Sequence, residues 1–122
     1  MHSPYKSKGG ITRLSKAIQY SRNGLRSAFR YEAAFRQEVL ISVILLPIAL
    51  WISQSFVEAA ILIGSLVFVL FVELLNSAIE TVADAITLDD HRLIARAKDL
   101  GSAAVLLAIA LAVLTWLTVI FG

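Results

Sequence analysis

Glu73 stands inside an apolar run, with Leu70, Phe71 and Val72 before it and Leu74 and Leu75 after it. A carboxylate in such a setting costs several kcal/mol unless it is paired, solvated or protonated. Asn76, Glu80 and Asp84 follow at i+3, i+7 and i+11, offsets that put all four side chains on one face of a helix. The intervening Leu74, Leu75, Ile79, Val82 and Ala83 are apolar or small, so the polar groups are gathered rather than scattered. Two more acids, Glu32 and Glu38, lie in the segment YEAAFRQE just before another apolar run, and Arg96, Lys98 and Asp99 lie just before a third. Three separate apolar runs thus each bring charged groups to their polar ends.

Two carboxylates at a membrane interface, Glu32 and Glu80, can share a divalent cation, since Mg²⁺ is usually held by one or two carboxylates together with substrate phosphates and water. Cations such as Arg13 and Lys98 can neutralise a polyphosphate. A deeper carboxylate, Glu73, can take a proton from a hydroxyl held at membrane depth. Together these are the parts of metal-assisted phosphoryl transfer to a lipid alcohol, with a water-soluble nucleotide meeting the outer acids and the lipid hydroxyl the inner one. No G-x-x-x-x-G-K-[ST] string occurs, so a phosphate site must be built from side chains and helix ends. His91 taken alone reads as exposed rather than as a ligand. Ion pairs such as Arg36–Glu38 or Asp84–Lys98 are the structural alternative to a site.

The elements that must position these groups are membrane spans. The chain has 122 residues, 58% of them apolar and only 16% charged, with no cysteine, which leaves neither a disulfide nor a thiolate metal site. A net charge of +2 gives little support to nucleic-acid binding. Apolar runs cover residues 39–53, 59–72 and 103–121. Only the last reaches the ~20 residues that cross a hydrocarbon core unaided. The first two become long enough if they begin near Glu32 and extend to Glu80. The reading is a single membrane domain: a flexible tail at 1–10, a surface helix at 11–30, and spans at about 31–53, 57–84 and 95–121. Pro47 inside the first span predicts a tolerated kink. Trp51 and Trp116 fall near the far ends of their spans and suit an interfacial aromatic belt.

Lys and Arg occur only from Lys6 to Arg36 and at Arg92, Arg96 and Lys98. The positive-inside rule places the N-terminus and the 81–100 connection in the cytoplasm, with the 54–58 turn and the C-terminus outside. Between 11 and 29, Ile11, Leu14, Ile18, Leu25 and Phe29 recur at helical spacing, and Arg22, Arg26 and Arg30 form a row beside them. An apolar stripe with a basic flank predicts a helix lying in the membrane interface. Its arginines can serve as anchors to anionic headgroups. Small residues, Ala103, Ala104, Ala108, Ala110 and Ala112, allow close helix approach in the third span.

The segments EAAFRQE (32–38), VELLNSAIETVAD (72–84) and RAKDLGSAAV (96–105) closely resemble the bacterial integral-membrane diacylglycerol kinases, and the likeness runs from about Thr12 to Trp116. The resemblance implies an all-α homotrimer of three-span subunits, each with an N-terminal surface helix, in the bacterial inner membrane. It implies an enzyme that transfers the γ-phosphate of MgATP to the hydroxyl of diacylglycerol, giving phosphatidic acid. By motif, Glu73 corresponds to the catalytic base and Asn76 to a polar residue beside it. Glu32 and Glu80 correspond to metal and nucleotide carboxylates. Arg13, Tyr20, Asp89, Asp90, His91, Lys98 and Asp99 fall on nucleotide positions. Arg13, Ala17, Arg26, Ala34, Phe35, Gln37, Glu38, Glu73 and Ser102 fall where the lipid lies.

The match departs where the best-known member carries tryptophan at Arg22 and Phe29 and asparagine at Tyr31. These positions bear on lipid preference rather than phosphoryl chemistry. A Gram-positive branch phosphorylates undecaprenol with the same motif, and that substrate stays open. A second class of function, a small proton- or cation-handling transporter using Glu73 as a relay, is disfavoured because between 59 and 72 only Gly64 and Ser65 interrupt the apolar path. A non-catalytic assembly subunit leaves the convergence of acids and cations unaccounted for.

Overall fold

The structure is a computed structural model that describes residues 9–86 and 91–122. These form four helices in chain order: α1 (Gly10–Tyr31), α2 (Ala33–Ile52), α3 (Phe56–Ile86) and α4 (Arg92–Phe121). The last three are long and apolar enough to cross a membrane. No strand occurs among the described residues.

α1 leaves its apolar stripe uncovered. Ile11, Leu14, Ile18, Leu25 and Phe29 are all exposed, and Ala28 is its one buried residue. A stripe that packs on nothing in the chain is what a helix resting on lipid requires. The helix ends at Glu32, whose extended backbone (φ −111°, ψ 105°) closes α1 and opens α2. Arg36 pins this elbow: its Nη1 donates to the carbonyl oxygens of Phe29 at 3.0 Å and Arg30 at 2.9 Å. Terminal carbonyls of a helix lack partners within it, and a guanidinium supplies them. Arg36 is therefore engaged with α1 and not with Glu38.

α2 runs through Pro47 without interruption. It turns into α3 through a cap in which the Glu58 N–H donates to Ser55 Oγ (3.1 Å) and the Gln54 N–H donates to Glu58 Oε1 (3.0 Å). α3 packs chiefly on α4. Val69 and Val72 of α3 meet Ala108 and Ala112 of α4, flanked by Val105. With Gly101, these α4 residues stand at i, i+4, i+7 and i+11, a single seam. Two of the alanines expected to permit close approach, Ala108 and Ala112, do so, while Ala103, Ala104 and Ala110 face outward. Trp116 is half-buried and turned toward α3, where its Nε1 donates to Ser65 Oγ at 3.0 Å. Trp51 is exposed.

Because α2 and α3 are joined by a short turn and α4 lies against α3, the start of α2, the end of α3 and the start of α4 share one end of the bundle. The Lys98–Asp84 ion pair, at 2.7 Å, ties α4 to α3 there.

Candidate active site at the polar end of the bundle

α3 positions the acids by periodicity alone, and their burial is graded along its axis. Glu73 is 5% exposed, Asn76 and Ser77 are buried, Glu80 is half-buried and Asp84 is exposed. Glu73 therefore points into the helix bundle, not outward into lipid. The neighbouring α2 brings Glu38 to it: the two carboxyls lie within hydrogen-bonding reach of each other. Glu38 Oε1 is enclosed and has no hydrogen-bond partner. Bare carboxylates this close repel one another, so the pair is a natural place for a proton or a hydroxyl donor to sit.

Glu32, at the elbow, makes no capping hydrogen bond with its side chain. It lines a groove of about 750 Å³ between α1 and α3, together with Ser77, Ala78 and Thr81. Glu80 lies on the same turn of α3 but does not line this groove. Among the described residues no group of three or more metal-type side chains exists that could cage an ion unaided. Two half-buried carboxylates fit a hard divalent cation that completes its shell with phosphate and water.

Lys98 carries a side chain 39% exposed, engaged with Asp84, and the charge of Glu80 also reaches it. One expected structural ion pair is thus present, the other absent. Asp99 and Ser102 are exposed on α4. His91 is exposed and caps α4, its Nδ1 accepting the Leu93 N–H at 3.2 Å. Asp89 and Asp90 lie outside the described residues. On α1, Arg13, Ala17, Tyr20 and Arg26 are exposed. In α2, Phe35 is buried, while Ala34 and Gln37 are exposed. The structure thus joins Glu38 to Glu73, and Lys98 to Asp84 beside Glu80. It leaves the α1 residues on an open surface.

Sequence reasoning missed the meeting of Glu38 with Glu73, and it missed features at Arg36 and Gly101. Arg36 fixes the elbow that carries Glu32, which no spacing rule signals. Gly101 faces the Asn76 carboxamide across the α3–α4 seam. A glycine inside a helical pattern was the available signal.

The family described as prokaryotic diacylglycerol kinase matches residues 19–120. The chain is 45% identical to a diacylglycerol kinase of Pseudomonas aeruginosa over 120 residues, 98% of each chain. It is 50% identical to one of Escherichia coli over 107 residues, 88% of each chain. It is 41% identical to one of Haemophilus influenzae over 117 residues, 96% of this chain and 98% of that one. With a match spanning α2, α3 and nearly all of α4, the chain belongs to the prokaryotic diacylglycerol kinase family.

Proposed function

We propose that this chain is an ATP-dependent diacylglycerol kinase of the bacterial inner membrane, with its N-terminus in the cytoplasm, acting as a homotrimer. The observation that carries the reading is the buried Glu73 carboxyl, held against Glu38 beneath the end of the bundle where the basic residues gather. Glu73 takes the proton of the lipid's primary hydroxyl as the hydroxyl oxygen attacks the γ-phosphorus of ATP. The new P–O bond gives phosphatidic acid, the bond to the β-phosphate oxygen breaks, and ADP leaves with the electron pair.

Depth separates the roles. Phosphates stay where Arg13 and Lys98 can meet them, and Tyr20, His91 and Asp99, with Asp89 and Asp90, hold the nucleoside end. Glu32 and Glu80 would hold the divalent cation, Mg²⁺ in this reading, which when bound would neutralise charge on the phosphates. Asn76, one turn from Glu73, orients the reacting groups. Ala17, Arg26, Ala34, Phe35, Gln37, Glu38 and Ser102 line the path of the lipid. Lys98 leaves Asp84 when phosphate arrives, because a polyphosphate offers it more charge than one half-exposed carboxylate.

The purified protein in mixed micelles, given MgATP and either dioleoylglycerol or undecaprenol, tests this directly. Dioleoylglycerol is expected to be phosphorylated in preference. Glu73→Gln is expected to lose turnover by about 10²-fold or more while keeping its helical content and oligomeric state. A near-normal rate in that variant removes Glu73 from the role of base. Faster phosphorylation of undecaprenol overturns the substrate assignment, and failure with both lipids overturns the kinase reading.

A further inference from the structure

Gly101 is buried in the α3–α4 seam. A methyl group added at its Cα would overlap Asn76 Oδ1, and would stand 3.3 Å from Asn76 Cγ and 3.6 Å from Ile79 Cδ1. Gly24 and Gly64, also inside helices, have nothing within 4 Å of the same position, so the need for a bare Cα is local to residue 101. The Asn76 side chain is buried in turn, and its Oδ1 is enclosed without a hydrogen-bond partner.

Both features are destabilising. A buried amide oxygen without a donor has given up its hydration for nothing in return. Glycine in a helix interior is less favourable than alanine. They converge on a single contact, one helical turn from Glu73. Packing alone would favour alanine on α4 with a shorter or apolar residue facing it. Local rules broken together in this way are characteristic of functional sites. A carboxamide is planar, with its oxygen and nitrogen on diverging edges. Whatever receives the oxygen edge therefore sets the direction of the two N–H donors.

We infer that Gly101 is a positioning residue for Asn76: the notch it leaves in α4 fixes the carboxamide in the orientation needed beside Glu73. This rests on the kinase reading, in which Asn76 orients the groups reacting at Glu73. Gly101 acts only through the amide it admits.

The test compares the parent with Gly101→Ala, Asn76→Ala and the double variant, in micelles with MgATP and dioleoylglycerol. Rates are taken per folded protein, with folding read by circular dichroism and elution volume. Gly101→Ala is expected to lower kcat about tenfold or more, with KM for MgATP within about twofold of the parent. Added to Asn76→Ala, it is expected to change kcat by less than about twofold, because the group it disturbs is gone. The Asn76 side-chain ¹⁵N–¹H₂ resonance, assigned by its loss in Asn76→Ala, is expected to move in Gly101→Ala. This readout decides the matter if Asn76→Ala is too slow to measure.

An unshifted resonance, or a Gly101→Ala variant as fast as the parent, overturns the inference. An equal loss of kcat with and without the carboxamide does the same. If Gly101→Ala does not fold, the double variant must fold and match Asn76→Ala in rate; a double variant equally unfolded overturns the notch. A parent inactive on lipid sinks the kinase reading, whereas an active parent with an equally active Gly101→Ala sinks only the notch.

Discussion

Glu38 and Glu73 come from different helices and meet as carboxyls in the least hydrated part of the site. Such a pair is stable only while something shares the charge between them, and the hydroxyl of an incoming alcohol can take that place. Glu38→Ala is expected to lower kcat/KM for the lipid by about 10²-fold and to leave KM for MgATP unchanged, as separate titrations of the two substrates will show. The Lys98–Asp84 pair behaves differently because both side chains are substantially exposed. Asp84→Asn is expected to leave the unfolding midpoint in a denaturing detergent at the parental value, whereas Lys98→Met raises KM for MgATP. The polar stripe from Glu73 to Asp84 was legible in the sequence because it obeys one helix's periodicity. The meeting of Glu38 with Glu73 was not, since it depends on how α2 crosses α3. Spacing says nothing about a crossing, and Glu38 was accordingly expected among the acids at the polar end, along the lipid path or paired with Arg36.

At the scale of elements, the order of surface helix and three spans follows from apolar run length and the two basic blocks. The joints do not. From the sequence, the break between surface helix and first span falls at 30/31; the structure puts it at Glu32, and what sequence did not show is that Arg36 clamps it there. Hydropathy averages over a turn and cannot register a single extended residue. Arg36→Ala is expected to raise KM for MgATP, by loosening the residue that carries the Glu32 carboxylate, and to make α1 more sensitive to proteolysis. Arg36→Lys is expected to restore only part, since an ammonium lacks the planar fork. At the opposite end of the bundle, Trp116 was expected to mark the membrane interface, but its indole also links α4 to α3 through Ser65. The Ser65 hydroxyl keeps its own bond to the Leu62 carbonyl, at 2.6 Å. Trp116→Phe is therefore expected to cost about 1 kcal/mol of stability with unchanged kcat, in the same detergent unfolding assay.

Over the whole molecule, the chain buries little of its own apolar surface: in the 30 residues of α4 only Gly101, Ala108 and Ala112 are buried. Lipid covers part of such a surface, and the proposed trimer covers more and supplies walls for a site that a single chain leaves open. Because the sequence has no cysteine, single cysteines can be introduced without a background signal. A cysteine at Gln54 is expected to react with an impermeant maleimide added outside intact cells, and one at Thr12 only after lysis. The reverse pattern would invert the assigned orientation.

The elbow at Glu32 links a helix whose exposed stripe suits the headgroup layer to one that descends through the acyl chains. Lateral pressure, thickness and curvature of the bilayer act on those two layers unequally. Any mismatch between them is felt as torque at the joint, and the joint carries a carboxylate assigned to the metal. Turnover is therefore expected to track the mechanical state of the surrounding leaflet at fixed substrate concentrations, making the enzyme a gauge of the membrane whose lipids it modifies.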